Sequence, residues 1–312
     1  MITIKKYTKE DRFLWNNFID TSKNGIFMFK RDFMEYHSDR FIDNSLMFYD
    51  EDKLIALLPA SLHEKQLRSH GGLTYGGFIT NESMKQHKML DCFTALKQYM
   101  QEQNIEKLVY KVIPHIYHKQ PAEEDLYALF KNNAKILKIE PSTTLFLKNP
   151  LALPKGRKAQ VSRARREGVI IEESLDFDTF IDLENEILSK YHNTKAVHNA
   201  EELKFLKSQF EKEIQLWVAK YQGKIIAATL LFVYDNVVHT QYMAANEKAR
   251  EIGGLDYLIK TLTEKFKDSK NYFDFGISTE QNGEVFNEGL CAQKEGFGAR
   301  TIVYQTYDVT IK

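Results

Sequence analysis

The residues best suited to chemistry lie late in the chain, in a polar run that follows a short apolar segment. The segment from Tyr272 to Ile277 predicts a buried strand, because it is rich in aromatic and β-branched residues. It nevertheless contains Asp274, which needs partners if it is buried. Asn287 and Lys294 follow in the polar run. Since α/β proteins commonly bind ligands beyond a strand end, we expect a ligand site here.

These side chains are suited to acyl transfer onto an amine. That reaction needs a neutral nucleophile and stabilisation of the oxyanion that develops on the carbonyl. Lys294 could stabilise the oxyanion, although a lone lysine is more often a surface residue. Asp274 or Glu280 could accept the proton of the amine, directly or through water, although a structural carboxylate is the commoner case. Tyr242 could act as an acid or an orienting hydroxyl, whereas His239 in its apolar strand predicts a packed histidine.

The same stretch resembles the C-terminal signature of the Fem-type transferases, which are the FemABX aminoacyl transferases and their relatives among GNAT-fold acyltransferases. The resemblance is carried by Asp274-Phe275-Gly276, by Asn287-Glu288-Gly289-Leu290 and by Lys294-Glu295-Gly296-Phe297-Gly298. In the family the lysine lies in a Phe-Lys-x-x-Phe-Gly-like run, and here Gln293 replaces the first phenylalanine. The resemblance spans the chain, is strongest from Lys155 onward, and implies an N-acyltransferase.

The order of predicted elements repeats along the chain. Hairpins are predicted at 46–62 and 216–234, and each is followed by a strand, a helix and another strand. Lys53-Leu54-Ile55-Ala56 also aligns with Lys224-Ile225-Ile226-Ala227, each directly after a turn. A repeated order of this kind predicts two similar units in tandem.

The predicted fold is α/β, with two tandem GNAT-like units that each contain a mixed β-sheet flanked by helices. The predicted bounds are 1–148 for the first unit, 149–168 for a basic junction and 169–312 for the second unit. Residues 45–112 are expected to superpose on residues 215–277. Near the start, the aromatic segment 27–41 predicts a helix that packs on a preceding helix at 11–19.

The junction is strongly basic before its first acid, Glu167. Its cations are Lys155, Arg157, Lys158, Arg163, Arg165 and Arg166. A solvated helix face and an anion-binding surface both explain such a run. The junction also resembles the Fem-type pattern R-x-x-I-R-x-A-x-x-x-G-V, with Ser162 in place of the second arginine. That resemblance implies acceptor binding by Arg157, with Arg163 beside it and Asn287 from the late polar run.

A glycine-containing loop precedes the helix that begins near Gly254. The run Arg250-Glu251-Ile252-Gly253-Gly254-Leu255 resembles the GNAT loop Gln/Arg-x-x-Gly-x-Gly/Ala, except that Leu255 replaces the small residue. The resemblance implies that Arg250, Gly253 and Gly254 bind the pyrophosphate of an acyl-CoA, since helix N-termini favour anions. An ordinary turn that caps the helix explains the same residues.

The composition argues against several classes of protein, among them membrane-spanning and zinc-binding proteins. The 312 residues carry 43 basic and 43 acidic side chains, so no overall attraction to nucleic acid or to an anionic membrane is implied. No apolar run is long enough to span a bilayer, and we expect no membrane insertion. The chain has only two cysteines, Cys92 and Cys291, which argues against a disulfide framework and suits a reducing cytoplasm. The nine histidines and two cysteines show no zinc-ligand spacing, so no metal site is expected.

The sequence therefore predicts an N-acyltransferase whose acceptor is an amine of a cell-wall precursor, an amino sugar or a nucleotide sugar. The resemblance leaves two donors open. The neutral charge and the partial CoA loop favour acetyl-CoA or another acyl-CoA, and aminoacyl-tRNA is the alternative. A non-catalytic module that binds an anionic glycan precursor or RNA is also open. The oligomeric state is not predicted.

Overall fold

A computed structural model describes residues 1–192 and 196–310, of which residues 191 and 192 are described in their backbone alone. The chain forms two compact units, residues 1–140 with 303–312 and residues 141–302. The chain passes from the first unit to the second within one strand and returns within its last strand. The domain bounds at 148 and 169 stay a prediction.

The secondary structure is as follows. The strands are β1 (Ile2–Lys6), β2 (Ile42–Asp43), β3 (Leu46–Asp50), β4 (Lys53–Leu58), β5 (Ser61–His63), β6 (Gln66–Arg68), β7 (Ile79–Thr80), β8 (Lys107–Lys111), β9 (Lys135–Phe146), β10 (Ile170–Ser174), β11 (Ile214–Tyr221), β12 (Lys224–Val233), β13 (Val237–Ala245), β14 (Tyr272–Ile277), β15 (Thr279–Glu280), β16 (Val285–Phe286) and β17 (Arg300–Thr310). The α-helices are α1 (Arg12–Thr21), α2 (Arg31–Met34), α3 (Gln86–Glu102), α4 (Glu124–Lys131), α5 (Lys155–Arg166), α6 (Phe177–His192), α7 (Ala200–Gln209), α8 (Glu247–Ile252), α9 (Gly254–Phe266) and α10 (Glu288–Glu295).

The first unit contains an antiparallel sheet of order β1-β3-β4-β7 and a second run of strands, β2-β5-β6-β8, with the end of β17 beside β8. Strands β6 and β8 are parallel, and α3 lies between them in the chain. The apolar core beneath α3 includes Phe48, Phe78 and Phe93. Such close packing of buried side chains is typical of a protein core.

The predicted helix over residues 27–41 is wrong. Residues 27–29 form a single 3₁₀ turn, and only Arg31–Met34 is α-helical. Side chains of α1 form hydrogen bonds with the backbone of this segment. The Trp15 indole donates to the carbonyl of Phe29 (2.8 Å), and the Asn16 side chain accepts from the N–H of Arg31 (2.9 Å). These tertiary hydrogen bonds compete with a continuous helical ladder.

The second unit has a six-strand sheet of order β10-β11-β12-β13-β14-β9. All pairs are antiparallel except β13 with β14, which run parallel only from Val237–His239 against Tyr272–Asp274. The pairing register of this sheet shifts at two places. The β12–β13 register shifts next to Thr240, and the β14–β9 register shifts after Asp274. The ladder between β13 and β14 therefore ends at His239 and Asp274, and the strands separate beyond that point.

Both units repeat a hairpin followed by a parallel strand pair that encloses a helix, β6-α3-β8 in the first unit and β13-α9-β14 in the second. The predicted fold class is confirmed, since each unit is a mixed sheet with helices packed on it. The superposition of residues 45–112 on 215–277 stays a prediction.

The basic segment 155–166 forms helix α5, which packs on α9. Gly253, between α8 and α9, has φ of +80° and lies directly beneath α5. A Cβ at this position would lie 2.4 Å from the carbonyl oxygen of Gln160. Both the backbone conformation and the close approach therefore require glycine here.

We expect Gly253→Ala to destabilise the protein much more than Gly223→Ala. Both glycines have φ near +80°, which costs an alanine about 1–2 kcal/mol. Only Gly253 also meets a neighbouring backbone, and overpacking adds about 1–3 kcal/mol. Urea unfolding of the two variants measures the difference. Equal losses would show that α5 does not press on Gly253.

Candidate functional site

The end of the parallel strand pair is held by Asp274, whose side chain is 0% exposed. Its Oδ1 accepts hydrogen bonds from the hydroxyls of Ser142 (2.8 Å) and Thr144 (2.7 Å). These two residues lie on β9 at alternate positions and therefore point to the same face of the sheet. Both belong to the second unit, so the carboxylate joins β9 to β14 within that unit.

His239 is the neighbour of Asp274 across the parallel ladder. Its Nδ1 lies 2.8 Å from Oδ2 of Asp274, and its ring is buried. Gly276, with φ of +75°, leaves room for that ring, since a Cβ there would lie 3.3 Å from His239 Cε1. Ser142, Thr144 and His239 thus surround a carboxylate that does not reach solvent, as a buried charge requires.

Lys294 on α10 reaches the separated end of β14. The helix begins after Asn287, whose Oδ1 accepts from the N–H of Leu290 (2.9 Å). The Lys294 side chain is 4% exposed, and its Nζ donates to the carbonyls of Gly276 (3.0 Å) and Ile277 (2.6 Å). Burial lowers the pKa of Lys294 to about 8. Among the described residues, the third N–H of this ammonium has no partner.

Tyr242 lies on the same face of the sheet as His239. Their partners on β12 are Leu230 and Phe232, which are two residues apart and so share a face. The Tyr242 hydroxyl is 2.7 Å from Nδ1 of His198. Burial raises the pKa of Tyr242 to about 12, and the negative charge of Glu184 acts in the same direction.

Glu184 comes from α6, which packs on β13. Its side chain is 6% exposed, and burial raises its pKa to about 7. Among the described residues, its buried Oε2 has no hydrogen-bond partner. Glu184 and His198 were not predicted. A signal was present in the sequence, because Glu184 recurs at helical spacing with Phe177, Phe180 and Ile181 on the apolar face of α6.

Arg157 of the basic helix is engaged in packing. Its Nη1 pairs with Asp256 of α9 (2.7 Å), and its Nη2 donates to the carbonyl of Gln293 (2.8 Å). Its guanidinium also lies 4.2 Å from the centre of the Phe297 ring. A Cβ on Gly296 would lie 2.9 Å from the same guanidinium. The structure thus brings Arg157 against the late glycine-containing run.

The remaining predicted site residues differ in how far their side chains are exposed to solvent. Arg163 is half-exposed and lies 3.8 Å from Glu251, and Arg250 is exposed. Gly253 and Gly254 are buried, as are their neighbours, so that the start of α9 lies beneath α5. Glu280 is exposed. Asn287 donates to it (2.6 Å) in addition to capping α10.

Within residues 1–192 and 196–310, no group of three or more His, Cys, Asp or Glu side chains is placed to hold a metal ion. None of the described helices combines the length and the apolar character that a membrane span needs.

We expect Asp274→Ala to destabilise the protein by about 3 kcal/mol or more, because it leaves the donors of three residues buried without an acceptor. Ser142→Ala is the matched control, since it removes one donor and leaves the contacts of the carboxylate with Thr144 and His239 in place. Its expected cost is about 1 kcal/mol. Urea unfolding measures both, and similar losses would contradict the central place of Asp274.

Residues 155–282 match the family model for the acetyltransferase (GNAT) domain. No curated protein matches the chain. The fold is similar to the crystal structure of FemX, with a TM-score of 0.70 at 10% identity over 99% of this chain and 97% of that chain.

Two other solved structures are also similar. L-PGS from Bacillus licheniformis has a TM-score of 0.59 at 14% identity, over 89% of this chain and 90% of that chain. A tandem GNAT protein from the clavulanic acid biosynthesis pathway has a TM-score of 0.53 at 9% identity, over 100% and 99%. Residues 155–282 thus match a GNAT acetyltransferase domain, and the fold of the chain is similar to that of FemX and of a tandem GNAT protein.

Proposed function

We propose that this protein transfers an acyl group onto a primary amine at the point where β13 and β14 separate. The observation that carries the proposal is the buried ammonium of Lys294, held by two strand carbonyls at the end of β14. A preorganised positive charge in a poorly solvated site stabilises developing negative charge more strongly than one in water. The match of residues 155–282 to an acetyltransferase domain supports the same reaction.

The roles of the polar residues differ in this proposal. Lys294, with a pKa of about 8, is mainly protonated at neutral pH and offers its third N–H to the oxyanion of the acyl carbonyl. Tyr242, with a pKa of about 12, keeps its proton and can donate to the leaving group. Asp274 is wholly buried and acts as a positioning residue, holding His239 and the strand end in place.

The acceptor that we propose is an amine of a cell-wall precursor, an amino sugar or a nucleotide sugar. The resemblance of the late polar run to the Fem-type signature, together with the fold similarity to FemX, supports a substrate of this kind. The exposed cations of α5, including Lys158 and Arg166, and the half-exposed Arg163 suit phosphate groups on a substrate. Arg157 is already paired with Asp256, and so we assign it to holding α5 on α9.

Two donors fit this chemistry. Acetyl-CoA is supported by the GNAT domain match and by similarity to a tandem GNAT protein whose structure is described as being without AcCoA. Burial of residues 252–255 under α5 favours the other donor, because a pyrophosphate needs open N–H groups at the start of α9. We therefore propose aminoacyl-tRNA as the donor, with its phosphates along the exposed side of α5.

Calorimetry with acetyl-CoA and with bulk charged tRNA tests the donor. We expect charged tRNA to bind, to weaken steeply as salt rises, and to weaken further in Arg163→Ala, because phosphate contacts dominate nucleic-acid affinity. Lys212→Ala removes an exposed cation before the other end of β11, away from the end that pairs with the start of β10, and is the control. Binding of acetyl-CoA that is lost in Arg250→Ala would instead identify an acyl-CoA enzyme.

We expect Lys294→Ala to lower kcat by about a hundredfold or more while the protein stays folded, because it removes the oxyanion-stabilising charge. Lys111→Ala is a closely matched control. The pKa of Lys111 is also lowered to about 8 by burial, and its Nζ also donates to two backbone carbonyls, those of His70 and Leu73. Steady-state kinetics and circular dichroism check both variants, and unchanged turnover in Lys294→Ala would contradict the role.

A further inference from the structure

Glu184 is a buried carboxylate without a compensating cation. Among the described residues, none lies within ion-pair distance of it, and its Oε2 has no hydrogen-bond partner. The neighbouring charged residues of α6, Asp182, Glu186 and Lys190, are all exposed. Burial of an unpaired charge is costly, and so the absence of a protein partner requires an explanation.

Two other buried carboxylates in the chain show what a structural role looks like. Asp274 accepts from Ser142 and Thr144 and pairs with His239. In the first unit, Asp125 accepts from the hydroxyl of Tyr110 (2.6 Å). Glu184 lacks such a set of donors although it is buried to a similar degree. Its contacts therefore differ from those of a carboxylate that only stabilises the fold.

Glu184 lies close enough to Tyr242 for its negative charge to raise the pKa of that hydroxyl. Helix α6 packs on β13 and β12, where Tyr242 and Leu230 are paired on one face. The titratable groups described around this face are Tyr242 on β13 and His198 before α7, which contact each other at 2.7 Å. Tyr242 lies three residues beyond His239, where the strands separate.

We propose that Glu184 binds the ammonium group of the acceptor and accepts its proton, so that the acceptor is a primary amine that arrives as a cation. This inference rests on the proposed function and adds to it the amine-binding residue. The ammonium of the substrate supplies the positive charge that pairs with the Glu184 carboxylate. Since the amide product is neutral, the attraction is lost after the reaction and the product can leave.

The proton and electron balance of the step is complete. The ammonium gives one proton to the Glu184 carboxylate and becomes a neutral amine. Its lone pair attacks the acyl carbon, and a C–N bond forms. When the intermediate collapses, the C–O bond of an aminoacyl ester or the C–S bond of a thioester breaks. Tyr242 donates its proton to that leaving oxygen or sulfur, one of the two remaining N–H protons restores the Tyr242 hydroxyl, and the proton on Glu184 is released to water.

The protonation behaviour of Glu184 agrees with this role. Burial raises its pKa to about 7, so that it is partly ionised at neutral pH and basic enough to take a proton. Tyr242 keeps its own proton at this pH, since its pKa is about 12.

The test is the near-isosteric variant Glu184→Gln, assayed with an amino-sugar nucleotide and with a lysine-containing peptide as acceptors, using whichever donor binds in calorimetry. We expect kcat/KM at pH 7 to fall by about a hundredfold or more. We expect wild-type kcat/KM to rise as the pH passes through 7, and we expect this rise to be absent in Glu184→Gln. Glu184→Asp, which keeps the carboxylate, should retain that rise at a lower rate.

Two controls separate the amine-binding role from loss of charge or of structure. Glu186→Gln removes an exposed carboxylate from the same helix, and Asp125→Asn removes a buried one from the first unit. Both are expected to keep the wild-type pH profile. Wild-type rates and pH profile in Glu184→Gln would overturn the inference and leave the proposed function standing. Wild-type protein that acylates neither amine with either donor would overturn the proposed function itself.

A second readout needs no activity. The folded pKa of Glu184 lies above its ordinary value of 4.5, so the folded state holds this proton more tightly than the unfolded state. The resulting stability is fully present below pH 4.5 and is lost as the pH rises through 7. Glu184→Gln should therefore have a higher Tm than wild type at pH 8 and a similar one at pH 4.5. A lower Tm at pH 8 would show that Glu184 is compensated and would overturn the inference.

Discussion

The second unit depends on one buried carboxylate. Asp274 accepts from Ser142 and Thr144 on β9 and pairs with His239 on β13, so that three strands are joined where the parallel ladder ends. A buried carboxylate without these partners would be costly, and with them it fixes the separation point of the strands. Beyond it the β14 backbone is no longer paired with β13, and its carbonyls are available to Lys294.

Three buried charges in this unit differ in how far the protein satisfies them. Asp274 has partners for both oxygens, Lys294 has partners for two of its three N–H groups, and Glu184 has none for Oε2 among the described residues. Complete satisfaction serves the fold, because it removes the cost of burial. Incomplete satisfaction leaves an interaction that a substrate or a transition state can supply, which is how strong electrostatic effects arise in active sites.

The basic helix α5 has two faces with different consequences. Arg157 turns inward to Asp256 and the Phe297 ring, and Gln160 presses on Gly253. The helix thereby covers the start of α9, where a GNAT-like loop was expected to hold a pyrophosphate. Its other cations stay exposed. The cations of α5 form one cluster in the sequence, but in the fold Arg157 packs against neighbouring elements while others lie at the surface.

The sequence alone was sufficient for the tandem α/β architecture, the hairpins, α9 and the β14 strand, because their apolar periodicity and turns are local signals. It also marked Asp274, Tyr242 and Lys294, because polar residues in apolar or glycine-containing runs are conspicuous. Tertiary structure alone decided that Lys294 is buried and that Gly253 lies under Gln160. It also decided that Oε2 of Glu184 is buried without a hydrogen-bond partner among the described residues, and that residues 27–41 do not form one helix. Burial and hydrogen-bond partners depend on residues that are distant in the chain.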